Sequence, residues 1–143
     1  MQNRNSAVID INNVIWTLSR PSAGVPRRLA VLLPLIAELR RIGIGAVFGV
    51  ADANIFHLVD DAPARAEIEP ALDEFHIAPA GEPADRMILT LARERDAWIV
   101  SNDHFREWKK RDRWVKRNAW RRRVTVSPAG DLQPDRFSLI FPL

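Results

Sequence analysis

One stretch near the start of the chain, AVIDINNVIW at 7–16, restricts the fold more than any other. Its first residues, Ala7, Val8 and Ile9, are apolar without alternation, which is typical of a short strand buried on both faces. Such a strand needs a layer of helices on each side, as in α/β folds. Asp10 then lies near the carboxyl end of a central strand, where open α/β sheets bind their ligands. The alternative is that Asp10 caps a turn or the following helix.

The rest of the chain alternates between helical and strand patterns. The predicted strands lie at 44–50, 75–79, 98–100 and 123–127, and the predicted helices at 26–43, 54–59, 64–74, 83–95 and 104–108. Pro26 suits the first position of the first helix, and Pro34 inside that helix predicts a kink or a break. The order of elements predicts an α/β fold with a mostly parallel sheet of about four or five strands and helices on both faces.

The composition narrows the class of protein. A chain of 143 residues is expected to form a single domain over 1–143. It contains no cysteine, which excludes disulfides, thiolate zinc sites and a cysteine nucleophile. His57, His76 and His104 are scattered, which argues against a histidine metal site, and we interpret them as structural or surface residues. No apolar run is long enough to cross a membrane, and without a signal pattern we expect a cytoplasmic protein.

Four aspartates occupy related positions in the predicted fold. Asp10, Asp52 and Asp103 each follow a predicted strand, and Asp85 lies in the first turn of the helix at 83–95. Because parallel strands end at one edge of the sheet, we expect these acids to line one cleft. Two carboxylates about 4 Å apart repel by roughly 4 kcal/mol at an effective dielectric near 20, and a Mg²⁺ or Mn²⁺ ion offsets that cost. As an alternative, Asp85 favours its helix terminus and Asp52 caps the helix that follows it.

Three segments resemble one family in order and spacing. VIDINNVIW (8–16), PADRMILTLARE (83–94) and WIVSNDHFREW (98–108) are similar to the PIN-like ribonucleases, in the NYN branch that includes the nuclease domains of zinc-finger ribonucleases acting on messenger RNA. The resemblance covers roughly 6–127. It implies a PIN-like three-layer α/β/α sandwich that hydrolyses RNA with Mg²⁺ or Mn²⁺.

The resemblance also implies roles for single residues. The metal-binding and catalytic acids would be Asp10, Asp85 and Asp103, with Asn13 as a polar helper, Ser101 as the hydroxyl that braces the site and Asn102 as a buttress of the turn.

The chain departs from the family in two places. Ala84 stands where the zinc-finger ribonucleases carry a second acid, so Asp52, or alternatively Glu82, would supply a fourth carboxylate. Ile11 follows Asp10 where the family often has glycine. Both departures leave the three principal acids in place.

The segment 106–123 concentrates the positive charge of the chain. It holds ten of the 21 Lys and Arg residues but only two of the 18 acids. We expect its cations to contact RNA phosphates. They are Arg106, Lys109, Lys110, Arg111, Arg113, Lys116, Arg117, Arg121, Arg122 and Arg123. Trp108, Trp114 and Trp120 recur every six residues, and each is either a platform for an unpaired base or a partly buried anchor.

The leading hypothesis is a metal-dependent ribonuclease acting on single-stranded RNA. The first alternative is a catalytically weak RNA-binding module, which the missing acid at Ala84 favours. The enzyme reading leaves open a toxin of a toxin–antitoxin pair, which would bind an inhibitor protein, or an RNA-processing enzyme; self-association is compatible with both. A phosphotransferase with an aspartyl nucleophile is disfavoured because Asn12 replaces the second acid expected two residues after Asp10.

Overall fold

The architecture is that of a helix-covered, mostly parallel sheet. The computed structural model describes residues 4–130, 133 and 135–143. Its strands are β1 (Ser6–Asp10), β2 (Ala46–Ala51), β3 (Glu74–Ile77), β4 (Trp98–Val100), β5 (Arg123–Pro128) and β6 (Phe137–Ile140). They form one sheet in the order β3-β2-β1-β4-β5-β6, in which only β6 runs antiparallel to its neighbour. The predicted α/β fold class is confirmed.

Helices fill the connections between the strands. They are α1 (Ile11–Thr17), α2 (Leu32–Arg41), α3 (Ile55–Leu58), α4 (Arg65–Ala71), α5 (Ala84–Glu94), α6 (Arg106–Arg111) and α7 (Arg113–Arg122). Short 3₁₀ turns occur at Pro21–Ala23, Leu29–Val31 and Ala62–Ala64. None of the helices in the described part of the chain has the length and apolarity needed to span a membrane.

Two apolar layers lie on opposite faces of the sheet. Successive residues of β1 alternate between them, since Ala7 and Ile9 belong to one core cluster and Val8 to the other. The first cluster packs β1 against α1, α2 and α4, and the second packs it against α5 and α7. All five residues of β1 are buried. The double burial that the sequence predicts for this strand is therefore confirmed.

The first predicted helix is wrong at its start. The chain from Pro26 passes through a 3₁₀ turn, and α2 begins only at Leu32. The carboxylate of Asp61 accepts the N–H groups of Leu29 (2.6 Å) and Ala30 (3.0 Å), which favours the turn over a continuous helix. Pro34 consequently lies in the first turn of α2, where its missing N–H removes no helical hydrogen bond. The expected kink at Pro34 therefore does not arise.

The two ends of the sheet region also differ from expectation. Helix α1 begins directly after Asp10, in a stretch where the sequence analysis predicted no helix. The sheet has six strands instead of the four or five expected, because β6 pairs with β5. The sequence of β6, FSLI, does not alternate strictly between apolar and polar residues, so it does not indicate a strand by itself.

Candidate metal centre

Three of the four aspartates singled out in the sequence converge. Asp10 is the last residue of β1, Asp85 is the second residue of α5, and Asp103 follows β4. One carboxylate oxygen from each residue lies within 4.8 Å of the other two. The parallel order β2-β1-β4 produces this arrangement, because β1 and β4 are neighbours and end at the same edge. We call this group the acidic triad.

Asp10 is the buried member of the triad. Its exposed fraction is 5%, and its Oδ2 accepts a hydrogen bond of 2.8 Å from the Ser101 hydroxyl. Burial raises the pKa of the Asp10 carboxyl to about 7, and the carboxylates of Asp85 and Asp103 act in the same direction. The Ser101 hydroxyl and the N–H group of Asn13 oppose this shift. Asp10 directly precedes α1, and the effect of the Asn13 N–H on its carboxyl is compatible with the capping alternative, although its side chain makes no standard capping hydrogen bond.

Ser101 connects Asp10 to Asp103. Its fully buried hydroxyl donates to Asp10 and accepts the N–H of Asp103 at 3.0 Å. Oδ1 of Asp103 in turn accepts the N–H of Phe105 at 2.8 Å. Phe105 has a φ of 52° and is buried, so the chain makes a tight turn that directs Asp103 back toward Asp10. Ser101 therefore contacts both the Asp10 carboxylate and the backbone of Asp103, and its bracing role stays a prediction.

Two asparagines hold the turn that carries Asp103. Oδ1 of Asn13 accepts the N–H of Asn102 at 2.8 Å. The Asn102 side chain donates to the carbonyl of Val126 and accepts the N–H of the same residue, both at 2.8 Å. These contacts fix the turn between α1 and β5. Asn13 therefore holds the turn that carries Asp103 through the backbone of Asn102, and it also lines the cleft.

Asp85 is held from the basic segment. The indole Nε1–H of Trp108 donates to Oδ2 of Asp85 at 3.3 Å. Burial and the nearby Asp103 carboxylate raise the pKa of the half-buried Asp85, with a smaller contribution from Asp52, and the Trp108 hydrogen bond opposes them. Trp108 was not among the expected site residues. No sequence pattern indicates this contact, since it joins α6 to α5 between residues that are 23 positions apart.

Asp52 lies beside the triad and not within it. Its Oδ1 accepts the N–H of Ala84 at 3.1 Å, and its own N–H donates to Oδ1 of Asn12 at 2.9 Å. Among the described residues the group of converging carboxylates contains only Asp10, Asp85 and Asp103. Asp52 therefore lies at the start of α5, outside this group of three, and its role as a fourth metal ligand stays a prediction.

Ala84 and Glu82, the position of the missing acid and the alternative to Asp52, both lie outside the converging group. Ala84 is 5% exposed and packs in the core, so its position directs no side chain into the cleft. Glu82 is exposed in the loop before α5 and lies outside the converging group.

An open cleft of about 470 Å³ exposes two members of the triad, Asp85 and Asp103, to solvent, while Asp10 lies buried behind them. Asp85, Asp103, His104, Arg106 and Trp108 are among the residues that line it. His104 lies at the rim, where the positive charge of Arg123 contributes most to lowering its pKa, ahead of partial burial and Arg106. The cleft thus combines carboxylates at its floor with positive charge at its edge, an arrangement suited to a metal ion below a phosphate.

The donor set fits a hard divalent cation. Three carboxylates supply the oxygen ligands that Mg²⁺ and Mn²⁺ prefer. Among the described residues none of the three forms an ion pair with Lys, Arg or His. Their mutual repulsion and the burial of Asp10 therefore have no compensating side-chain cation. A bound metal ion is the simplest means of offsetting both costs.

The basic segment folds into α6 and α7, which are joined at Asp112. Most of its cations are exposed. Arg122, which was expected to contact RNA, is instead engaged within the protein. The Arg122 side chain is 11% exposed and pairs with Asp96 at 2.7 Å, while its guanidinium lies 5.1 Å from the Trp114 ring centre. Arg123 is half-buried and donates to the Asn102 carbonyl at 3.4 Å. The two cations at the end of the segment thus have structural contacts.

The three tryptophans of the segment have different environments. Trp108 is half-buried and bonded to Asp85, and Trp114 is half-buried against Arg93 and Arg122. Trp120 is 50% exposed. Anchoring therefore describes the first two, and only the third presents a substantial open surface.

Comparison with known proteins gives one family-model match and similar solved structures. Residues 68–134 match the family model described as the Zc3h12a-like ribonuclease NYN domain. A crystal structure of nuclear proteinaceous RNase P 2 (PRORP2) from A. thaliana superposes with a TM-score of 0.73 at 16% identity, over 98% of this chain and 30% of that one. A second PRORP2 structure from Arabidopsis thaliana gives a TM-score of 0.66 at 15% identity, over 99% of this chain and 30% of that one.

The matched structures are much longer than this chain. This chain spans less than a third of the length of the PRORP2 chains it matches. None of the curated protein sequences matches it. The family model and the shared fold confirm the resemblance to NYN-domain ribonucleases that the sequence motifs indicate, and they confirm the PIN-like fold. The chain thus has a PIN-like fold, and its residues 68–134 resemble a ribonuclease NYN domain.

Proposed function

We propose that this protein is a Mg²⁺- or Mn²⁺-dependent ribonuclease that hydrolyses phosphodiester bonds of single-stranded RNA. The observation that carries the proposal is the acidic triad, whose carboxylate oxygens lie within 4.8 Å of one another at an open cleft. The match to the NYN ribonuclease model supports RNA as the substrate. The concentration of cations in α6 and α7 supports binding of a polyanion.

The residues of the triad would hold the ion through their carboxylates. A divalent ion bound there supplies positive charge that stabilises the reacting phosphate and acidifies water. Ser101 fixes the orientation of Asp10, and Trp108 fixes that of Asp85. An aspartate of the triad orients the attacking water, and Arg106 at the cleft edge attracts the phosphate. The catalytic residues of this proposal are Asp10, Asp85 and Asp103.

The test compares cleavage of a labelled single-stranded RNA in Mn²⁺, in Mg²⁺ and in chelator. We expect cleavage with metal only, and a loss of about 10³-fold or more in Asp10→Asn, equivalent to roughly 4 kcal/mol of transition-state stabilisation. Asp60→Asn is the matched control, because Asp60 is exposed and lies outside the triad. It should cleave like wild type.

Two further results would redirect the proposal. If wild type binds the RNA but does not cleave it with either metal, the protein is an RNA-binding module and the enzyme assignment is wrong. If the same sequence is cleaved equally well as duplex RNA or as single-stranded DNA, the preference for single-stranded RNA is wrong.

A further inference from the structure

A second and larger concavity lies next to the metal cleft. It is an open groove of about 1160 Å³ between α6 and α7. Its lining includes Lys110, Arg113, Lys116, Arg117, Trp120 and Arg121. We call it the α6–α7 groove. Its volume is more than twice that of the metal cleft, so it offers room for a ligand segment beyond the reacting group.

The cations of this groove are free to bind a ligand. Within the described part of the chain, Arg113, Lys116, Arg117 and Arg121 form no ion pair with an acid. Lys110 has one contact, 3.6 Å to Glu107, between two side chains that are both more than 70% exposed. Exposed pairs of this kind are weak and are readily exchanged for a phosphate.

The one acid that lines the groove does not oppose an anion strongly. Oδ1 of Asp112 accepts the N–H of Trp114 at 2.8 Å and the N–H of Val115 at 3.3 Å. It thereby caps the first turn of α7. Its charge is therefore directed at helix N–H groups, and the groove keeps a strongly positive surface.

Trp120 supplies the groove with an aromatic surface. The residue is 50% exposed, and the Arg121 guanidinium lies 5.0 Å from the centre of its ring. Stacking on such a surface requires a base that is not covered by neighbouring base pairs, so it selects single strands over duplexes. Positive charge together with one open indole is the combination used to bind single-stranded nucleic acid.

The groove and the metal cleft share helix α6. Arg106 and Trp108 line the cleft, whereas Lys109 and Lys110 line the groove. A strand that leaves the acidic triad along α6 therefore enters the groove directly. Because α7 has ten residues and is about 15 Å long, the contact extends over more than one nucleotide.

We propose that the α6–α7 groove binds the single-stranded RNA that flanks the scissile phosphate, with its cations on successive phosphates and Trp120 stacked on an unpaired base. This inference rests on the proposed function for the location of the scissile phosphate. Its consequence is a substrate-length effect. RNA that reaches the groove has a lower KM, while a dinucleotide that occupies only the cleft gains nothing from it.

The test combines Lys116→Glu with Arg117→Glu and measures cleavage of a dinucleotide and of a single strand about 12 nucleotides long, within the range of site sizes of single-strand binders. We expect KM for the long RNA to rise at least tenfold and kcat/KM for the dinucleotide to stay unchanged. The matched control combines Arg20→Glu with Arg28→Glu, which makes the same change in net charge at two exposed residues outside the groove. The control should leave both substrates close to wild type.

Binding measurements separate the groove from the catalytic proposal. In the Asp10→Asn background, we expect the Lys116→Glu and Arg117→Glu pair to flatten the salt dependence of long-RNA binding by about 1.4 in log–log slope, the value for two lost phosphate contacts on a single strand. Trp120→Ala should weaken binding of the single strand about tenfold and leave duplex binding unchanged.

The outcomes that would overturn the groove are distinct from those that would overturn the ribonuclease. Equal losses in the groove pair and the control pair would show that only the net charge matters. If the groove pair leaves the KM and the salt slope for the long RNA unchanged, the RNA does not enter the groove. Metal-dependent cleavage of both substrates would still support the ribonuclease assignment. If wild type cleaves nothing but the groove variants still bind RNA less tightly, the groove is correct and the ribonuclease assignment is wrong.

Discussion

The acidic triad and the α6–α7 groove are adjacent but are built in opposite ways. In the triad, Asp10, Asp85 and Asp103 each accept a hydrogen bond from a fixed donor, and Asp10 is almost completely buried. In the groove, Arg113, Lys116 and Arg117 are exposed and form no ion pair with another described residue. The triad is a rigid arrangement that the sheet imposes, whereas the groove is a flexible array of long side chains. This difference fits a fixed reaction centre beside a surface that adapts to RNA.

The buried charge of Asp10 destabilises the folded protein. The pH dependence of the free energy of unfolding that results is the largest effect we expect. The pKa of Asp10 is about 7 in the folded protein against an ordinary value of 3.8, so between these values the folded state binds more protons than the unfolded state. In chelator the free energy of unfolding should therefore fall as the pH rises from about 4 to about 7, by up to about 4 kcal/mol. Below the lower value the penalty is absent.

Chemical denaturation at a series of pH values measures this effect. Asp10→Asn should flatten the profile, and Mn²⁺ should restore stability to wild type above pH of about 7, because the ion offsets the buried charge. The Lys116→Glu and Arg117→Glu pair, which changes only exposed side chains, should leave the profile unchanged. A wild-type profile that coincides with that of Asp10→Asn would contradict the raised pKa of Asp10.

The contact between the two regions gives the next largest effect. Trp108→Phe keeps an aromatic ring in α6 but removes the N–H that Asp85 accepts. We expect a loss of about tenfold in Mn²⁺ affinity, the lower end of the range for residues that orient metal ligands. Titration of Mn²⁺ binding measures it, with Trp120→Phe as the control on the exposed tryptophan. Equal affinities in both variants would show that Trp108 contributes packing alone.

The smallest expected effect is a difference in stability and RNA binding between variants of the adjacent residues Arg121 and Arg122. Arg122 pairs with Asp96 and is 11% exposed, while Arg121 is exposed at the groove. Arg122→Gln should lower the free energy of unfolding by about 1 kcal/mol, a value limited by the 69% exposure of the Asp96 side chain. Arg121→Gln should leave stability unchanged and weaken RNA binding. Thermal denaturation and RNA titration of the two variants measure these effects. A stability loss in Arg121→Gln together with weaker RNA binding in Arg122→Gln would contradict the prediction.

These two arginines show where prediction from sequence reaches its limit. The triad was predictable, because strand ends in a parallel sheet share an edge and the motifs around Asp10, Asp85 and Asp103 fix their places along the chain. The separate environments of Arg121 and Arg122 were not, because a charge pattern does not reveal which side of a helix faces Asp96. Only the packed structure separates a structural cation from one that is available to a ligand.

The same limit applies to elements that depend on distant contacts. The start of α2 is set by the Asp61 carboxylate 32 residues away from Leu29, and β6 exists through its pairing with β5. Asp52 follows a strand as Asp10 does, yet its carboxylate is engaged by the N–H of Ala84. Local sequence patterns place these residues in the correct type of element or turn, but they do not identify the distant residues that they contact.

The most direct test of the account is calorimetric titration of the metal-free protein with Mn²⁺ at pH of about 6.5, in two buffers that differ in ionisation enthalpy. Because the pKa of Asp10 is about 7, a metal that binds its carboxylate must displace a proton. We predict saturable binding with release of a substantial fraction of a proton, and loss of both signals in Asp10→Asn. Binding that is absent in wild type, or equally tight in Asp10→Asn, would contradict the assignment of the acidic triad as a metal centre.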